Sequence, residues 1–306
     1  MLTHTTALLS LLAGCHVFAD GEIPLTCDDL ADCGADSDTD SGTPSEFSVS
    51  AGIALSMTDG ESWLAIAYDP PDLNPRVQKG GLGSTAGAVA WSADRSRLFL
   101  ADDGALLQLG PNETDIKKFE LPTLEPVLDM AAVGQSVFLI TDSWIIGQLT
   151  PSADPVLINS EESLGFISMV SDGALLTVAT SDNAGPDLYR LDPKTSEAEI
   201  VAEDFDSSAD RVSGDLFFDA EVLMSCSNTG SIYDLDDLLG GGAGEPVVSP
   251  STLSLTDVLT CGVDPDSGRY FVISASQGLI ILAPDEDDIQ LDLTGDGYTL
   301  GGAQIY

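Results

Sequence analysis

The sequence predicts an all-β fold, a β-propeller of about six blades with seven as the next count the spacing allows. Three observations carry this. An Asp- or Gly-bearing turn followed by a short apolar strand recurs along the chain, at Asp59-Gly60 before Leu64, Asp94 before Leu98, Gly134 before Val137, Asp172-Gly173 before Leu175, Asp219 before Val222 and Gly268 before Tyr270. Those aligned strand positions lie 34, 39, 38, 47 and 48 residues apart, the length of one small sheet per repeat. No long amphipathic helix interrupts the series. A unit of this size has too few apolar residues to cover both of its faces, so the copies must stack, and a twisted stack of small sheets closes into a ring.

Within each copy the elements follow in order. Ahead of the turn lies an apolar run, such as 88–91, 166–170 or 258–263, suited to an innermost strand. After the aligned strand, five copies carry a further one, at 105–109, 144–149, 187–191, 231–235 and 278–282. The first copy lacks a clear equivalent, because Asp69-Pro70-Pro71-Asp72-Leu73-Asn74-Pro75 breaks it. The glycine cluster from Gly240 to Gly244 reads as a flexible turn. Trp63, Trp91 and Trp144 fall inside strand patterns and are expected in the core rather than on a sugar-stacking surface. Alternation around Val49 and a β-like stretch from Tyr298 to the end imply that the two ends share a blade or lie in adjacent ones, because an open ring would leave two unpaired edges.

The composition narrows the function. Fifty-one acidic residues face ten basic ones, for a formal charge of -41, while 43% of the chain is apolar. Nucleic acid and anionic lipid are poor partners for such a surface, because phosphate binding needs clustered Lys and Arg. The carboxylates are expected to form a solvated, self-repelling surface, with cation binding as the alternative. The only histidines are His4 and His16, both ahead of the repeats, so the domain has no imidazole for a Ser-His-Asp triad, a proton shuttle or a histidine metal site. Walker-type and dinucleotide-binding loops are missing as well.

Upstream of the repeats, a short polar opening (1–6) leads to an apolar run (7–13) that ends in Leu12-Ala13-Gly14-Cys15. The run falls well short of the ~20 residues that span a bilayer. Leu12-Ala13-Gly14-Cys15 resembles a bacterial lipobox, although the opening lacks the basic residues usual there. The resemblance implies a cleaved signal (1–14), a diacylglycerol on the sulfur of Cys15, and, with His16 rather than aspartate next, sorting to the outer membrane or cell surface. From 15 to 46 the chain is rich in Asp, Ser and Gly and cannot bury enough to fold alone, so it is read as an acidic tether. The propeller then occupies 47–306.

Export suits the remaining cysteines, an even four in a compartment where disulfides persist. Cys27 and Cys33 enclose a short acidic loop and are expected to pair. For Cys226 and Cys261 the spacing leaves open a disulfide or two buried thiols.

The repeat units resemble those of bacterial surface propellers of the YVTN type. The closing Asp292-Leu293-Thr294-Gly295-Asp296-Gly297-Tyr298 is similar to degenerate FG-GAP repeats, whose loops hold calcium. Asp292 and Asp296 match two ligand positions of that loop, but Thr294 and Leu300 depart from it, so an Asp-Gly turn is the expected reading and calcium the alternative. Asp36, Asp38 and Asp40 likewise resemble the alternating oxygen ligands of a calcium loop. No glutamate closes that loop at its twelfth position, and a charged spacer is preferred.

These readings lead to a membrane-anchored, monomeric, non-catalytic binding or scaffold propeller without a required cofactor, whose partner is a protein or polysaccharide. The alternative is a calcium-dependent exported hydrolase of lactonase or glycosidase type, which calls for three or more carboxylates converging in the central channel.

Overall fold

The computed structural model describes residues 53–58, 63–68, 76–79, 87–92, 96–102, 104–110, 116–158, 165–181, 185–205, 209–251, 254–264, 268–282, 288–291 and 299–305. They form six antiparallel sheets, denoted A to F. Sheet A joins β1 (Ile53–Thr58), β2 (Trp63–Tyr68) and β3 (Arg76–Lys79) to the last strand of the chain, β23 (Thr299–Ile305). Sheet B comprises β4 (Ala88–Trp91), β5 (Leu98–Asp102), β6 (Ala105–Leu109) and β7 (Ile116–Glu120). Sheet C holds β8 (Asp129–Val133), β9 (Ser136–Ile140), β10 (Ile145–Gln148) and β11 (Val156–Leu157). In sheet D these are β12 (Phe166–Ser171), β13 (Leu176–Ser181), β14 (Pro186–Asp192) and β15 (Glu197–Ala202). Sheet E has only β16 (Asp215–Asp219), β17 (Val222–Cys226) and β18 (Ile232–Asp234). Sheet F completes the series with β19 (Val258–Asp264), β20 (Arg269–Ser274), β21 (Gly278–Leu282) and β22 (Ile289–Leu291).

The inner strands β23, β4, β8, β12, β16 and β19 each neighbour the next, and β19 returns to β23. This is an all-β propeller. Five of its sheets are complete four-stranded blades, rather than about six alike. Sheet E departs because its chain turns into the helix α1 (Leu235–Leu239) directly after β18. Asp234 caps that helix by accepting from the Asp237 N–H at 2.9 Å, and buried Leu235 and Leu238 hold it down. The expected strand at 231–235 is correspondingly short, and Val248 returns to bridge Ile232 on its open edge.

Apolar clusters fill the spaces between successive sheets. Trp91, Leu98 and Leu107 of B pack with Ala54 of A, Phe99 and Leu106 of B with Leu139 and Ile146 of C, and Met224 and Ile232 of E with Val272 and Ile280 of F. Trp91 is therefore core, and Trp144 packs partly buried against the B–C cluster. The turn glycines are demanded by backbone conformation: Gly173 sits at φ 91, where a side chain would be strained.

Two expectations need correction. The first copy does have a third strand, since β3 pairs with β2 from Leu64↔Lys79 to Ala67↔Arg76. It is polar in sequence (Arg-Val-Gln-Lys) and lies at the sheet edge, where no apolar run is required. The outermost strands β7 and β15 also lie at sheet edges with their side chains largely exposed, so no buried apolar pattern marks them. The N-terminal closing strand is β1, a few residues later than the alternation around Val49, which lies outside the described residues. Its partner β23 follows expectation, so the last strand of the chain completes the first sheet. Among the described residues no helix is long and apolar enough to cross a membrane.

Candidate functional site

The six inner strands line a central cavity of about 650 Å³, and among its carboxyls Asp129 and Asp215 stand on the inner strands themselves. Each is the first residue of its inner strand, Asp129 of β8 and Asp215 of β16. Each folds one oxygen onto the next backbone N–H, Oδ1 of Asp129 accepting from Met130 (2.6 Å) and Oδ1 of Asp215 from Leu216 (2.7 Å). The other oxygen reaches the inner strand of the following sheet. Oδ2 of Asp129 accepts from the Met169 N–H of β12 at 2.6 Å, and Oδ2 of Asp215 accepts from the Thr260 hydroxyl of β19 at 2.6 Å. Asp215 also receives the Cys261 N–H.

The backbone settings of the two are equivalent. β12 and β19 both carry a bulge after their first residue, and Ser168 and Thr260 are the first positions paired beyond it. A third polar tie, from Gln304 Oε1 of β23 to the Trp91 N–H of β4 (2.8 Å), joins A to B. Side chains of inner strands thus bind A to B, C to D and E to F, every second junction of the ring.

Across the channel, Asp129 and Asp215 come within carboxyl–carboxyl hydrogen-bonding reach. Asp129 keeps part of its surface open to the cavity and Asp215 is buried. Enclosure strips both of bulk water, which disfavours the charged form. Burial pushes Asp129 up to about 7, against the pull of the Met169 and Met130 N–H groups. Burial first, and the neighbouring Asp129 charge second, push Asp215 well above the usual carboxylate range. The pair therefore holds a proton at neutral pH. Its acceptor positions are occupied by strand N–H and O–H groups, and among the described residues no three His, Cys, Asp or Glu side chains gather where a metal could bind. Asp172 and Glu221 also line the cavity, but among the described residues no three carboxyls converge as the hydrolase alternative calls for.

Of the cysteines, Cys226 and Cys261 form a disulfide, Cα atoms 6.4 Å apart, between β17 of sheet E and β19 of sheet F. Both are buried, and Cys261 lines the cavity. The hydroxyl of Tyr270 ties the same two sheets by donating to Asp219 (3.2 Å). Cys15, Cys27, Cys33, Asp36, Asp38, Asp40, Asp292 and Asp296 lie outside the described residues. Asp129 and Asp215 escaped notice among 51 acidic residues. A signal for them existed: each opens an apolar inner run, eight and seven residues ahead of the aligned positions Val137 and Val222.

No protein-family model matches the sequence, and no curated protein matches it. Solved structures do. A chain of the nidogen/laminin complex superposes with a TM-score of 0.59 at 10% identity, over 83% of this chain and 98% of that one. A TolB-type protein from Agrobacterium tumefaciens gives 0.52 at 12%, covering 84% and 99%. A quinoprotein alcohol dehydrogenase-like protein from Bacteroides thetaiotaomicron gives 0.51 at 12%, covering 82% and 68%. At such identities the likeness shows the propeller fold and nothing finer.

Proposed function

We propose that this chain is an exported propeller, anchored through a lipid on Cys15 at the outer membrane or cell surface, that works as a monomeric non-catalytic binding or scaffold protein for a protein or polysaccharide of the envelope. One observation carries the non-catalytic reading: the channel carboxyls, the groups best placed for chemistry, have their oxygens engaged in holding neighbouring blades together. Sheet E counts in this reading as a sixth, reduced blade, because β16 takes its place in the ring between β12 and β19. The acidic stretch 15–46 serves as the spacer between membrane and ring, with Cys27 paired to Cys33.

Mass spectrometry of protein extracted from membranes should find Cys15 acylated and amino-terminal, and Cys15→Ser should release the domain or leave the precursor uncut. An unmodified terminus elsewhere would refute the anchor. Screening the purified domain on lactones and glycosides, with and without calcium, should show no turnover; calcium-dependent hydrolysis would overturn the binding role.

Calcium separates a solvated acidic surface from a working ion loop. If the carboxylates at Asp292 and Asp296 and at Asp36, Asp38 and Asp40 only solvate, millimolar calcium should raise the melting temperature no more than magnesium does. A calcium-specific rise of many degrees, lost in Asp292→Ala or Asp296→Ala, would identify a native-state site, since an ion bound only by the folded form stabilises it by mass action.

A further inference from the structure

We propose that Asp129 and Asp215 form a proton-operated latch across the central channel: sharing one proton they keep sheets C, D, E and F drawn together, and losing it forces them apart and loosens the C–D and E–F junctions. β8 and β16 stand on either side of β12 in the ring, so the two side chains meet across the strand between them. Two carboxyls in contact in the narrow channel cannot both stay ionised, because like charges repel strongly where burial limits access of water. Each carboxyl also anchors the next blade, through the Met169 N–H and through the Thr260 hydroxyl with the Cys261 N–H. Separating the pair therefore pulls on two blade junctions at once.

The groups around the pair offer no counter-charge. β4 presents Trp91, β23 presents Gln304, β12 Met169, and β19 Thr260 together with Cys261, which is held in its disulfide and does not titrate. Among the described residues, the other charged groups lining the cavity are Asp172, Glu221 and Arg190, and none of the three contributes to the shift of either carboxyl. Ser168, at the position equivalent to Thr260, is buried and its hydroxyl has no partner among the described residues, so β12 lacks the extra donor that Thr260 gives Asp215. The overall charge of -41 works in the same direction as burial and favours retention of the proton.

Above the ordinary Asp range the folded ring holds a proton that the unfolded chain has lost. The latch therefore contributes most at acidic pH, and its contribution declines as pH rises from about 4 through the upward-shifted range of the pair, near 7 for Asp129. Thermal melts of the full chain at constant ionic strength, from about pH 5 to about pH 8, should show the wild type falling more steeply than the double variant Asp129→Asn with Asp215→Asn, by about one proton's worth of slope, since burial alone would keep a single remaining carboxyl protonated. The double variant keeps the same surface, so the difference isolates the pair. Parallel curves would overturn the latch. Should the double variant fail to fold, infrared spectra of the wild type decide: a protonated-carboxyl band should persist at neutral pH and titrate away above it, and its absence at neutral pH would overturn the proposal. Recovery of the acidic melting temperature at about pH 8 by millimolar calcium, with the wild type but not Asp129→Asn, would also overturn it, by making the pair a cation seat.

Discussion

Deleting residues 303–306 is expected to cost the propeller most of its stability. β23 is the inner strand of sheet A, and its register places Ile305 against Ile53, Gln304 against Ala54 and Ala303 against Leu55. Ile53, Ala54 and Leu55 are buried, so removing their partners opens a buried strand edge rather than trimming a tail. Each lost backbone hydrogen bond costs about 1 kcal/mol, and each buried group left without a partner costs more. The deletion also removes the Gln304 tie to β4 and uncovers Gly262, which has no side chain because Ile305 packs directly against it. A total on the order of 5 kcal/mol approaches the stability of a typical whole domain. Urea denaturation should show a collapsed midpoint and native-state proteolysis rapid cutting across several sheets, since an open ring loses its last shared interface. An unchanged midpoint would mean that the ring closes without this strand.

The second large effect is expected at the disulfide. Cys226 and Cys261 lie 35 residues apart and join sheets E and F, the junction that follows the one reduced sheet. Closing a loop of that length in the unfolded chain is worth about 4 kcal/mol. Cys226→Ala with Cys261→Ala should accordingly lower the melting temperature by roughly 10 °C. Because both sulfurs are buried, the native protein should resist mild reductant until it unfolds. A shift of only a degree or two would place the strength of this junction in its other ties, the Asp215–Thr260 bond and the apolar cluster around Phe217 and Tyr270.

What the sequence by itself determined was whatever leaves a periodic trace. Inner and middle strands must bury apolar side chains between blades, and the hairpins joining them need Asp or Gly at their turns, so 88–91, 105–109 and 278–282 could be read directly and became β4, β6 and β21. Ring closure was legible too, because a stack of small sheets has two open edges and the stretch from Tyr298 onward reads as a β-strand. Outermost strands, at the sheet edges, leave no such trace. β3, β7 and β15 exist through backbone pairing to a neighbour already in place, which no composition records. The central carboxyls belong to the same class. Asp129 and Asp215 stand 86 positions apart in the sequence and look like any of the other acidic residues. Only ring closure brings β8 and β16 around β12, removes water from between the two side chains and makes them share a proton. The pairing of Cys226 with Cys261 was settled in the same way, by the distance between two blades, a quantity that spacing along the chain does not contain.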